Sequence, residues 1–365
     1  MIRHLYVHIP FCPKVCPYCS FYKEASDRNK TQRFLDAVLA ELDAAQKVHQ
    51  LQPETIFFGG GTPTALSTPQ LSYLLGGLRE RLDLTQLREW TLEMNPATVS
   101  LEKATRLREL GVNRVSMGVQ AWDEATLKTL GRVHSGEQAL RSYEILREAG
   151  FENINLDLIF GTPGQSQEVW FSNLERTIVL SPEHISAYCL TYEEDTDFFR
   201  RFQSGELQQD ENADADLYEG SIEMLENAGY IQYETSNYSR AGRECAHNMA
   251  YWLGHSYLGL GPSAFSTVGP NRWKNVPDTS AYCHLIESCG EAKSFHEDVT
   301  PAIRQSETVA FGLRTNRGVP LTQLSDRSVQ IDQLTTSGFL TRSSERVFLT
   351  RQGRLVADSV AELLI

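Results

Sequence analysis

The strongest constraint on the fold is a repeat. Short runs of β-branched and aromatic residues, at 5–9, 55–58, 90–94, 114–119, 154–160 and 184–190, alternate with helical patterns through the first half of the chain. Helical spacing occupies 31–46, 68–81, 101–110, 136–148 and 168–180, each time after a loop carrying Gly, Pro or a polar residue. Phe58, Leu92, Met117, Leu156 and Ala187 mark successive strands, 25 to 39 residues apart. Six strand–helix units of this size predict an α/β fold with a parallel sheet. Eight full units are not visible, so the expectation is an open, incomplete (β/α)6 barrel. Flavodoxin-like and Rossmann sheets share the alternation. The barrel is preferred because polar residues fall at the C-terminal ends of several different strands: 59–62, Glu93, Gln120 and Asp157. A barrel gathers all its strand ends around one mouth.

After Glu193 the repeat stops. An acidic stretch leads to a helix at 213–228, then to a polar, Gly- and Tyr-rich segment at 230–273. The last part predicts a helix from Arg304, a second at 321–337, a hairpin at 338–341 and 346–350, and a final helix. That is a winged-helix-like, α+β order. The expected organisation is 1–195 as the barrel, 196–300 as an extension, and 301–365 as the C-terminal domain. Residues 301–365 hold eight Arg, no Lys and six acids, which predicts a structural or partner-binding cap rather than a DNA reader.

Length and composition limit the partners. At 365 residues, 41% hydrophobic and 22% charged, the chain suits two or three packed domains. No apolar stretch reaches the ~18–20 residues of a membrane span, and Met1–Leu5 lacks a secretory signal, so a cytoplasmic protein is expected. The net charge of −13 speaks against nucleic acid and acidic lipid as partners.

Three of the seven cysteines, Cys12, Cys16 and Cys19, form C-x3-C-x2-C in the loop after the first strand. This spacing lets three thiolates from one loop converge on one metal object. A zinc or redox loop is the alternative, although no fourth Cys or His lies close in sequence to complete a tetrahedron. Three thiolates on a four-iron cluster would leave one iron open to a ligand. Cys189 and Cys245 read as buried small residues.

With Gly59-Gly60-Gly61-Thr62-Pro63 after the second strand, this pattern resembles the radical S-adenosylmethionine superfamily. The resemblance extends over most of the chain. Tyr6-Val-His-Ile-Pro-Phe-Cys12, Glu93-Met-Asn-Pro, Gly118-Val-Gln120, Gly131-Arg132-Val-His and Asn155-Leu-Asp157-Leu-Ile-Phe-Gly161 match its HemN/HemW branch in order. The resemblance implies a [4Fe-4S] cluster on Cys12, Cys16 and Cys19, and S-adenosylmethionine beside it. It also implies that Tyr6, Tyr18, Gly60, Gly61, Thr62, Glu93, Gln120, Arg132 and Asp157 line the cofactor site. The residue types suit that role. Glycines let backbone approach a ligand, Glu93 and Asp157 accept from ammonium or hydroxyl groups, and Arg132 offers a planar fork to a carboxylate. A reduced cluster would pass one electron to S-adenosylmethionine and release a 5′-deoxyadenosyl radical, so an electron donor is implied.

Two departures separate the chain from the HemN oxidases. Phe21 stands where they resemble a further cysteine, and only five residues precede Tyr6, where they carry an extension. His247-Asn248-Met-Ala-Tyr251-Trp252 matches the H-N-x-x-Y-W pattern associated with HemW, which is regarded as a haem chaperone. A neutral imidazole can ligate haem iron, and Tyr or Trp can pack on a porphyrin; His247 capping a turn is the plainer alternative. His134, His184 and His255 read as structural. The resemblance therefore implies a protein that holds haem and delivers it to a haem-requiring protein. The cluster would assist assembly, release or pairing into a homodimer. The alternative is a radical enzyme acting on a tetrapyrrole, by oxidising coproporphyrinogen III or modifying haem.

Overall fold

A computed structural model describes residues 1–25 and 28–365. Strands β1 (Ile2–Ile9), β2 (Leu51–Gly60), β3 (Glu89–Met94), β4 (Arg114–Gln120), β5 (Ile154–Phe160) and β6 (His184–Cys189) lie side by side in sequence order, all parallel. Helices α1 (Arg28–Gln46), α2 (Thr68–Arg81), α3 (Leu101–Glu109), α4 (Glu124–Thr129), α5 (Gly136–Glu148) and α6 (Gln167–Leu180) provide the crossovers. Serines start several of them: Ser67 and Gln70 form a reciprocal capping box on α2, and Ser135 and Ser166 cap α5 and α6. The six expected units are present, with ends shifted by a few residues at most for all but β1 and β2, which run longer.

Period-2 alternation explains how a mostly buried sheet can carry chemistry. Leu5, Val7 and Ile9, Ile56 and Phe58, Trp90 and Leu92, Val115 and Met117, and Leu156 and Leu158 all join the main hydrophobic core. The residues between them are His4, Tyr6, His8, Thr55, Thr91, Glu93, Arg114, Ser116, Asn155, Asp157, His184 and Ser186. They occupy the opposite face, the concave lumen, and bond to one another there.

The sheet continues beyond these six strands. After α7 (Asp197–Gln203) and α8 (Glu211–Asn227), β7 (Ile231–Gln232) and β8 (Asn237–Ser239) add antiparallel strands next to β6. Beyond α9 (Ala246–Trp252), β9 (Leu258–Leu260) pairs parallel with β1 through Leu5↔Leu258 and Val7↔Leu260. Both edges of the barrel are thus covered by the segment that follows it. At two or three residues each, β7 to β9 are too short to show a period in the sequence.

The C-terminal residues build their own small core around Val309, Leu313, Ile331, Val347 and Val360. Helix Pro301–Leu313, strand Val319–Pro320 and helix Ser328–Thr336 follow one another, and the strand joins Arg346–Leu349 and Leu340–Arg342 in a three-stranded sheet with Arg346–Leu349 at its centre. The helix expected over 321–337 forms only from Ser328. Leu321–Gln323 is a 3-10 turn because Leu321 N–H donates to Glu345 O (2.8 Å), tying this stretch to the sheet.

Candidate functional site

The C-terminal ends of the strands surround a cavity of about 430 Å³. Tyr18, Gly60, Gly61, Thr62, Glu93, Gln120, Arg132, Asp157 and Cys19 line it. Cys12, buried just below, lies 3.5 Å from the Thr62 hydroxyl. Arg132 Nη1 donates to Cys16 Sγ (3.7 Å) while its Nη2 donates to Gly118 O (3.0 Å). One guanidinium therefore links the cysteine loop to the end of β4.

The local sequence holds this arrangement in place. Gly61 N–H donates to Ile9 O and Thr62 N–H to Phe11 O, both at 2.8 Å, which fastens the glycine loop to the start of the cysteine loop. Gly60 adopts φ +102°, and a Cβ there would meet the His8 ring at 2.5 Å. The glycine run is thus required by the protein's own neighbours as well as by any ligand. Gly131, at φ +68°, lies where a Cβ would reach Pro17 at 2.7 Å, so the turn before Arg132 packs directly on the cysteine loop. Gln120 has φ +67° at a register shift between β4 and β5, a bulge that turns its side chain into the mouth.

The floor of the cavity is acidic. Burial, reinforced by nearby Asp157, pushes the Glu93 carboxyl up to about 8. Burial also raises Asp157, against hydrogen bonds from Ser116 Oγ (3.0 Å) and Asn155 Nδ2 (2.7 Å). A cation arriving beside Glu93 would recover its ionisation. Arg132 Nε is buried without a partner and can receive an anionic oxygen. Three thiols in one loop, a buried carboxyl raised by its surroundings and an unfilled guanidinium donor fit a cluster with an amino acid-bearing nucleotide beside it.

Two expected residues lie elsewhere. Tyr6 sits lower in the lumen, stacked on Phe57 at 6.3 Å; its hydroxyl donates to His8 Nδ1 (3.0 Å), whose Nε2 donates to Tyr22 O (2.9 Å). It reaches the mouth through His8, which sequence reasoning did not single out. His247 lies at the opposite end of the barrel, on α9. Its Nδ1 meets Thr55 Oγ1 (2.8 Å) and its Nε2 meets Tyr251 OH (3.0 Å), with 1% of the residue exposed. Phe21, by contrast, is 65% exposed at the rim of the mouth cavity. Ser116, Tyr188 and Glu193 also line the mouth unanticipated; the alternation that puts Ser116 and Tyr188 in the lumen was the available signal.

Comparison with known proteins places these features in context. Residues 6–171 match the model of the radical SAM superfamily, and residues 299–356 that of the HemN C-terminal domain. The chain is 36% identical to heme chaperone HemW of Bacillus subtilis, covering 98% of both chains. It is 34% identical to heme chaperone HemW of Lactococcus lactis, over 98% of this chain and 96% of that one. Among solved structures, the coproporphyrinogen III oxidase HemN of Escherichia coli superposes with a TM-score of 0.87 at 24% identity. The match covers 100% of this chain and 90% of that one, a likeness of fold.

Proposed function

The chain belongs to the HemW family of the radical SAM superfamily, and on that premise we propose that it is a haem chaperone, binding haem and delivering it to haem-dependent proteins. The supporting observation is likeness to HemW proteins along essentially the whole length of both chains. The exposed Phe21 at the mouth, where the oxidases resemble a thiol, fits a carrier better than an oxidase. None of the described helices is long and apolar enough to cross a membrane. We place the protein in the cytoplasm, working with a haem-accepting protein and an electron donor, and able to pair as a homodimer.

Cys12, Cys16 and Cys19 would hold a [4Fe-4S] cluster and the mouth cavity S-adenosylmethionine. When bound, that pair supplies one-electron reductive chemistry. The chain's own residues do the rest. Glu93 accepts an ammonium, and Arg132 orients a carboxylate through Nε while its Nη1 holds the Cys16 loop. Asp157 accepts from hydroxyls, held in place by Ser116 and Asn155. Tyr18, facing the same cavity, covers the loop from water.

The test is transfer. The reconstituted protein is loaded with ferric haem, freed of excess, and mixed with a haem-depleted acceptor such as a b-type cytochrome. The proposal expects the acceptor's spectrum and activity to return faster than with free haem at the same concentration. Failure of the wild type to retain haem through gel filtration would remove it.

A further inference from the structure

The haem-carrier reading, on which this inference rests, does not say where haem sits. We propose that haem docks in a cavity at the base of the barrel, remote from the cluster mouth, with His255 Nε2 as iron ligand and Arg243 and Arg317 receiving its propionates. The cavity measures about 720 Å³, within the range of small-molecule sites. It lies where β3, β4 and β5 begin, beside α9 and the turn between helix Pro301–Leu313 and strand Val319–Pro320, and Arg88, Asn113, Asn153 and Asn316 are among its walls.

His247 lacks a free nitrogen, since Thr55 and Tyr251 engage both. His255 differs. It lines the cavity, its ring stacks on His4 (5.4 Å, 22°), and its Nδ1 lies 3.3 Å from His4 Nε2. Its Nε2 has no hydrogen-bond partner among the described residues. His4 Nδ1 in turn meets Thr55 Oγ1 (2.9 Å), which meets His247 Nδ1. One chain of hydrogen bonds, His255–His4–Thr55–His247–Tyr251, thus runs from the cavity into the lumen.

Each link can carry its proton in either direction. Iron on His255 Nε2 selects one: His255 Nδ1–H donates to His4 Nε2, His4 Nδ1–H to Thr55, Thr55 O–H to His247 Nδ1, and His247 Nε2–H to Tyr251. A ligating imidazole whose second nitrogen donates to a fixed acceptor is the usual arrangement at metal sites. Burial keeps His4 and His247 neutral, as the chain requires. On this reading His247 is a positioning residue and His255 the ligand.

Charge and shape agree. The guanidinium groups of Arg243 and Arg317 come from different segments, line the same cavity and have no side-chain partner among the described residues. Glu89, an acid in the wall, is already used: its carboxylate accepts from Ala246 N (2.8 Å) and His247 N (3.0 Å) and so holds α9. Glu152 and Glu244 also line the cavity, so its charge is mixed and favours a ligand with carboxylates at set places over a diffuse anion. Leu253, the C-cap of α9 and 41% exposed, offers the macrocycle an apolar contact, with Met249 and Ala250 nearly covered beside it.

The test titrates full-length protein with ferric haem and with haem dimethyl ester, following absorbance and electron paramagnetic resonance. His255→Gly should lose the imidazole-ligated spectrum and regain it with added imidazole. The exposed pair Arg243→Gln/Arg317→Gln should weaken haem binding about tenfold or more and leave the dimethyl ester unchanged. A wild-type spectrum in His255→Gly, or unchanged haem affinity in the arginine pair, overturns the assignment; should His255→Gly misfold, the arginine pair decides alone. Wild-type protein that binds no haem defeats the carrier reading and this inference together. Haem binding to wild type with both variants indifferent defeats the inference alone.

Discussion

Replacing Gly60 by Ala tests the account of how the glycine loop and the lumen fit together. A Cβ at residue 60 would lie 2.5 to 2.7 Å from three atoms of the His8 ring, closer than real Cβ atoms come to anything. The ring cannot simply swing away, because Tyr6 OH and Tyr22 O hold it from both sides at 3.0 and 2.9 Å. Displacing it forfeits two hydrogen bonds of about 1 kcal/mol each. The backbone at φ +102° adds strain of about 1–3 kcal/mol for a residue with a side chain. The expected loss is about 3–5 kcal/mol, measured by urea unfolding of the cluster-free protein. Gly76→Ala is the control: it lies inside α2 with nothing within 4 Å of the added carbon. That change should stabilise by about 0.5–1 kcal/mol through helix propensity alone. A loss below about 1 kcal/mol for Gly60→Ala would refute the packing argument, since it would mean that His8 is free to move.

Three further outcomes follow from the site and its scaffold. Glu93 has its carboxyl raised from 4.5 to about 8 by burial, so the folded protein binds the proton more tightly than the unfolded chain. Its stabilisation is full below pH 4.5 and lost as pH rises through 8, at up to about 1.4 kcal/mol per pH unit; Glu93→Gln should flatten the fall in stability between pH 6 and 8, and an unchanged slope would contradict the burial argument. Cys12→Ala, Cys16→Ala and Cys19→Ala should each lose the brown iron–sulfur absorbance after anaerobic reconstitution, and Cys283→Ala should keep it; a full cluster in the Cys16 variant is incompatible with the assignment. Glu183 accepts both arms of Arg147 (2.9 and 3.0 Å) and the Ile154 N–H (3.0 Å), so Glu183→Ala should cost about 2–3 kcal/mol in chemical denaturation.

The parts of the molecule that could be read from the sequence are those whose signal is local. Parallel strands such as 114–119 and 154–160 show as apolar runs because helices bury their outer face, and the cysteine spacing lies within a single loop. The lumen was harder. Tyr6, His8 and Ser116 interleave with core residues and look like interruptions of a run until the sheet curls and gathers them. Non-local pairing hid the rest: β9 is three residues long, and only its ladder with β1, some 250 residues away, gives it meaning. His247 was singled out by its motif, and Tyr251 stands four residues on along the same helix, but that Thr55 would engage the other nitrogen depends on α9 packing against β2, which no spacing reveals. Arg243 and Arg317 are ordinary surface residues in the sequence and become neighbours of one cavity only in three dimensions.

The central claim is that the chain carries a tetrapyrrole rather than converting one, and a single anaerobic assay addresses it. The protein, reconstituted with its cluster and given reductant and S-adenosylmethionine, is incubated with coproporphyrinogen III, while a parallel sample receives ferric haem. The account predicts haem retained through gel filtration and no protoporphyrinogen beyond trace. Protoporphyrinogen formed over many turnovers, with haem washing away, would contradict it.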